Sequence, residues 1–208
     1  MNLHILSNFI FILPAFVGSF YFKHYPRELK ACYLAATSSG IVDTVTYFQF
    51  LEGDNNSYLL NLYIPLYFII WYLPVYYAIQ SKTIRNTTLV TLFISLGWLV
   101  FNLTFLDLKN TFYSNGIAMI GASLIIVNLI YLFYVSLLSD KMQLRGHPLF
   151  FISSAFIVYQ AFNTSIFVFM NILDGEALMF LWNFRYASNI ALNIIVSIVF
   201  VFYARTRE

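Results

Sequence analysis

The sequence predicts an all-α membrane protein: one domain over residues 1–208, a bundle of seven transmembrane helices with the N-terminus outside and the C-terminus in the cytoplasm. Three observations carry this. First, 61% of the 208 residues are apolar and only 10% are charged, whereas a soluble domain averages about 25% charged. A water-soluble fold of this length could not hide so much apolar surface. Second, seven apolar runs of near 20 residues, the length that crosses a hydrocarbon core, lie at 3–22, 31–51, 57–80, 88–106, 116–138, 148–172 and 178–203. Runs of that length are helices and not barrel strands. Third, the bases alternate between loops as the two faces of a bilayer require.

The first span opens the chain with MNLHILSNFIFILPAF, which lacks a basic leading segment and a small-residue cleavage site, so it is expected to be retained and not removed as a signal peptide. Lys23, Arg27 and Lys30 follow it, and Pro26 marks the break before the second span. The second span carries Asp43, with Ser39, Thr46 and Tyr47 on the same side, and its small residues Ser38 to Gly40 suit close packing. It ends at the EGDNN turn, on the side holding Glu52 and Asp54. The third span offers Asn61, Tyr63 and Tyr67, and contains Pro65 and Pro74; Pro14 lies likewise inside the first. Such prolines can kink a membrane helix and free a carbonyl.

Lys82 and Arg85 precede the fourth span, which offers Ser95, Trp98 and Asn102. Asp107 and Lys109 follow, and Lys109 is the only base on the acidic side. The fifth span adds no charge; Lys141, Arg145 and Pro148 separate it from the sixth, which offers Tyr159, Gln160, Asn163 and Thr164. The LDGEA turn, with Asp174 and Glu176, leads into the seventh. There Trp182, Arg185, Asn189 and Asn193 share one helical face. Arg205 and Arg207 close the chain on the basic, cytoplasmic side.

Asp43 and Arg185 are the only Asp, Glu, Lys or Arg residues inside the spans. Charges at membrane depth are costly unless paired or hydrated, so each is a functional candidate. Counting at 1.5 Å per residue puts both roughly 10–12 Å below the outer surface. Matching depth and opposite sign predict an ion pair or a shared polar cavity; the plainer alternative is a salt bridge that only pins two helices. The expected ligand-binding set is Asp43, Tyr47, Asn61, Tyr67, Asn102, Gln160, Asn163, Trp182, Arg185 and Asn189, forming an outward-open pocket with apolar walls. Taken singly, each polar residue is accounted for as well by interhelical hydrogen bonding.

Several classes find no support. One cysteine, Cys32, excludes an internal disulfide and a cysteine-based metal cluster. No lysine lies inside the seventh span to hold a retinal Schiff base, and no HExxH or GxSxG occurs. His4, His24 and His147 lie near span ends, and no intramembrane pair of carboxylates exists. No enzyme activity, metal, cofactor or nucleic-acid partner is expected. The sequons at Asn55, Asn86, Asn102 and Asn163 read as chance matches, and no internal repeat is evident.

Three segments carry a resemblance: NLYIPLYFIIWYLP (61–74), HPLFFISSAFIVYQAFNTSIFVF (147–169) and LWNFRYASNIALNIIVSIVF (181–200). Together with the chain length and span spacing they resemble a family of short seven-helix bacterial inner-membrane proteins. The resemblance implies an acid in the second span, matched by Asp43. It also implies an acid in the third span where this chain has Tyr67 or a neighbour, and a histidine where it has Arg185. Those departures mean that chemistry resting on either group does not carry over. Members look like companions of signalling kinases, which implies a sensory role.

The favoured expectation is a sensor or receptor module in the bacterial inner membrane, embedded in the lipid bilayer. It would bind a small ligand, an anion if Arg185 takes part, and signal through a membrane-bound or cytoplasmic partner. A small-solute transporter working as a homodimer or other oligomer is the alternative, followed by an accessory subunit that binds nothing. A lipid-acting enzyme ranks last, because Asp43 has no nucleophile or metal set beside it.

Overall fold

The computed structural model describes residues 3–52, 57–79, 81–105, 134, 147–169 and 172–205, and every regular element among them is helical. The helices are α1 (Leu3–Phe9), α2 (Ile12–Tyr21), α3 (Arg27–Glu52), α4 (Ser57–Ala78), α5 (Lys82–Phe105), α6 (Pro148–Phe169) and α7 (Gly175–Arg205), with a 3-10 turn at Phe22–His24. Of the span expected at 116–138, only Tyr134 falls among the described residues, and it is helical.

The first expected span is two helices, and Pro14 is the reason. Proline has no N–H to offer the carbonyl four residues back. The Ile10 carbonyl instead accepts from the Leu13 amide at 3.0 Å, a tighter turn that ends α1 and restarts the chain as α2. The prolines of α4 leave that helix continuous over Ser57–Ala78. α3 begins at Arg27, four residues before the expected start, directly after Pro26, whose fixed φ suits a first turn. At the head of α7 the Asp174 carboxylate accepts from the Ala177 amide at 3.1 Å, the N-cap that the LDGEA turn foreshadows.

α7 is the hub. It packs most extensively on α6 and also along α2 and α1, while α3 packs on α4, α2 and α1, and α4 on α5. A contact between α6 and α4 closes the circuit: Trp71 and Phe156 stack with ring centroids 4.3 Å apart at 26°. Beneath it lies an apolar core that includes Leu29, Tyr72, Ile152, Val196 and Phe200.

The outside of the bundle is apolar as well. Phe93, Ile94 and Phe202 are 68–70% exposed, and Phe16, Phe20 and Met179 are also outward. Hiding one such side chain from water is worth about 1.5–3 kcal/mol, so this surface is matched to lipid. Three helical stretches among the described residues are long and apolar enough to cross a bilayer: Leu3–His24, Pro148–Ile166 and Gly175–Arg205. The chain is a membrane protein that is all-helical among the described residues.

Candidate functional site

Between the α1–α2 junction, α3, α4, α6 and α7 lies a cavity of about 40 Å³. A water-sized group needs roughly 10–15 Å³ on this measure, so the space holds only a few. Ser7 and Phe11 enter from the N-terminal helices, and Ser39, Gly40 and Asp43 from α3. Tyr63, Tyr67 and Trp71 enter from α4, Tyr159 from α6, and Asn189 and Asn193 from α7. The broken first span shapes one wall. At the break the Phe11 ring lies where a β-carbon on Gly40 would be, so only glycine permits this approach.

The polar groups are ordered by hydrogen bonds that run away from Asp43. Ser39 Oγ accepts from the Tyr63 hydroxyl at 2.8 Å and from Trp71 Nε1 at 3.0 Å. Both hydroxyl lone pairs are then occupied, and the Ser39 proton is left to donate. Asn189 Nδ2 donates to the Ser7 carbonyl at 3.1 Å and to Ser7 Oγ at 2.9 Å. Asn193 Nδ2 donates to the Asn189 carbonyl at 2.9 Å and to Asn189 Oδ1 at 3.2 Å. The amide nitrogens are engaged within the wall, leaving Asn193 Oδ1 without a donor among the described residues. The Asp43 carboxylate likewise has no hydrogen bond or ion pair there; only its backbone carbonyl is used, accepting from Thr46 Oγ1 at 3.0 Å.

Arg185 stands at the head of a second polar chain. Its Nε donates to Asn163 Oδ1 at 2.9 Å, Asn163 Nδ2 approaches Gln160 Oε1 at 3.5 Å, and Gln160 Nε2 donates to the Tyr67 hydroxyl at 2.6 Å. The chain thus runs from α7 through α6 to the cavity wall on α4. Gln160 and Asn163 are buried. The guanidinium carbon sits 5.1 Å from the Trp182 ring, 5.8 Å from Tyr186 and 6.0 Å from Tyr159. Aromatic faces attract a cation at these distances.

The expected pocket is therefore divided. Asp43, Tyr67 and Asn189 line the cavity, and Gln160, Asn163, Trp182 and Arg185 form the adjoining cluster. Tyr47 belongs to neither: its ring packs on His4 at 5.2 Å and Phe9 at 6.0 Å, because it turns toward α1. The side chains of Asn61 and Asn102 lie outside the described ones. No salt bridge joins Asp43 and Arg185; a neutral amide intervenes on the arginine. Ser7, Phe11 and Trp71 are wall residues that the spans alone did not point to. Ser7 is legible in retrospect as a hydroxyl inside an apolar run, whereas Phe11 and Trp71 look like any lipid-facing aromatic. Among the described residues no group of His, Cys, Asp and Glu could hold a metal ion.

No family model, curated protein or solved structure matches the chain.

Proposed function

We propose that the chain is a receptor-like module of the bacterial inner membrane, with seven spans, the N-terminus outside and the C-terminus in the cytoplasm. It takes a small polar ligand at the Arg185 cluster. The observation that carries this reading is a half-buried arginine whose Nε rests on Asn163, with no carboxylate in salt-bridge contact among the described residues. A guanidinium ringed by Trp182, Tyr159 and Tyr186 offers a carboxylate or similar anionic group a charge-assisted, planar partner. Ligand binding there would bias the packing of α6 on α7, and through Gln160 and Tyr67 that of α4. A ligand shifts such an equilibrium only by binding its two states unequally. Onward signalling falls to a membrane or cytoplasmic partner.

A transporter is the second reading. The α1–α2 break beside the cavity favours it, since interrupted helices frame the central sites of many carriers. Uptake of labelled solute by proteoliposomes would revive it.

The deciding experiment is thermal unfolding of the purified protein in mild detergent against small anions, amino acids, sugars and lipids, with Arg185→Ala alongside. A ligand raises the melting temperature by mass action, about 2.7 kcal/mol of stabilisation at a hundred times its Kd. A shift seen in wild type and lost in Arg185→Ala supports the reading. No shift from any compound, with the variant merely less stable, refutes it and leaves Arg185 a structural residue.

A further inference from the structure

We propose that the Asp43 cavity is a binding site for one small monovalent cation, of which sodium is the probe. The proposal rests on the membrane-embedded reading of the bundle and requires no ligand at Arg185.

Charge gives the first argument. The Asp43 carboxylate faces a small cavity at membrane depth with no hydrogen bond or salt bridge from the described residues, which calls for a neutralising charge in direct contact. Arg185 acts on Asp43 only from a distance: its Nε is bonded to Asn163, it makes no salt bridge to the carboxylate, and it does not line the cavity.

The surrounding atoms give the second. Every amide nitrogen of Asn189 and Asn193 is engaged within the wall, which leaves oxygen as the cavity-facing chemistry. Asn193 Oδ1 has both lone pairs free of the described donors, and Ser7 Oγ and Asn189 Oδ1 each accept one bond. These oxygens with the Asp43 carboxylate make a hard set suited to a hard cation. Ser39 plays a different part: with both lone pairs filled by Tyr63 and Trp71, its hydroxyl is a donor one turn from Asp43 and not a cation ligand.

Size and valence complete the case. About 40 Å³ takes an ion with one or two waters and excludes an organic solute. One carboxylate balances one positive charge. A divalent ion would leave a net charge in a low-dielectric interior, and no second acid lines the cavity among the described residues. The bound cation would tie together Ser7 on α1, Asp43 on α3 and the asparagines of α7, so it would lock the broken first span against its neighbours.

The test is thermal unfolding of the full chain in mild detergent, with no organic ligand, as sodium chloride replaces N-methylglucamine chloride at constant ionic strength and pH. The melting temperature should rise with sodium and saturate. Asp43→Asn and Asn193→Leu should each raise the half-saturating sodium by about tenfold or more, while Glu176→Gln, at an exposed carboxylate, keeps the wild-type curve. If Asp43→Asn fails to fold, Asn193→Leu is read in its place, and equilibrium binding of radioactive sodium to wild type gives the stoichiometry directly. Identical melting curves in the two salts overturn the proposal, as does a sodium response that survives both variants. A melting temperature that follows pH alone also overturns it, since Asp43 would then carry only a proton. Because the titration contains no organic ligand and leaves Arg185 intact, its outcome is read separately from that of the receptor reading.

Discussion

Arg185 Nε donates to Asn163 Oδ1 at 2.9 Å, so the cationic centre of α7 is held by a neutral amide of α6 and not by the acid on α3. The contact lies on the most extensive helix pair of the bundle. Hydrogen bonds to charged groups contribute about 1.5–3 kcal/mol. Asn163→Ala should lower the unfolding free energy by about 2 kcal/mol, and in Arg185→Met the same change should cost well under half of that, because the charge that needs the amide is gone. A double-mutant cycle by denaturant unfolding in detergent checks the coupling. Equal costs in the two backgrounds would place the value of Asn163 elsewhere, on Gln160.

Gly40 and Phe11 predict a second outcome. A β-carbon at position 40 would occupy the space of the Phe11 ring, and overpacking of this kind costs typically about 1–3 kcal/mol. Gly40→Ala should destabilise by that amount and reduce any ligand or cation response of the adjoining cavity. Adding Phe11→Ala should recover part of the loss by opening the space. A Gly40→Ala protein as stable as wild type would mean that the α1–α2 junction yields without penalty.

These two contacts also show what a single sequence can carry. Proximity was legible in part: counting residues from two span ends set Asp43 and Arg185 at one expected level, and the Asp43 cavity is joined to the Arg185 cluster through Tyr67, Gln160 and Asn163. Direction around the helix was only half legible. The periodic set on α7 brought Asn189 and Asn193 to the cavity, yet Tyr47, four residues from Asp43, turns to His4 on α1. Which helix stands beside which is not written in any one span, so the expected Asp43–Arg185 pair could not be told from Arg185–Asn163. The Pro14 break was legible as a possibility, and its consequence was not: the seating of Phe11 on Gly40 depends on how α1 and α3 meet.

At the opposite end of α7, the Tyr25 hydroxyl donates to the Phe200 carbonyl at 3.2 Å, and the two rings stack with centroids 5.0 Å apart. Tyr25 is 3% exposed, so water cannot replace the lost bond easily. Tyr25→Phe keeps the stack and removes the hydroxyl, and should cost about 1 kcal/mol. For a chain of this length that is about 2–4 °C in melting temperature. Tyr25→Ala should cost several times more, since the stack goes with it. If Phe and Ala cost the same, the ring contributes nothing beyond its hydroxyl.

His147 gives the bundle a pH dependence of definite sign. It sits just before α6, where its Nδ1 accepts from the Leu149 amide at 3.3 Å. That nitrogen can accept only while it is unprotonated. Burial holds the His147 pKa below its ordinary value of 6.5, and the Glu28 carboxylate opposes this with a smaller upward pull. A depressed folded-state pKa means that the unfolded chain takes up the proton first as pH falls. Stability is then fully present above about pH 6.5 and declines as the pH drops through and below that value. His147→Gln, which keeps a neutral acceptor and cannot titrate, should flatten the melting profile between about pH 5 and 7, with His4 and His24 unchanged in both proteins. A Glu28→Gln protein should show a steeper acid loss than wild type, since it lacks the carboxylate that favours the charged imidazole. Wild type and His147→Gln profiles that superimpose would show that α6 holds its first turn without this histidine.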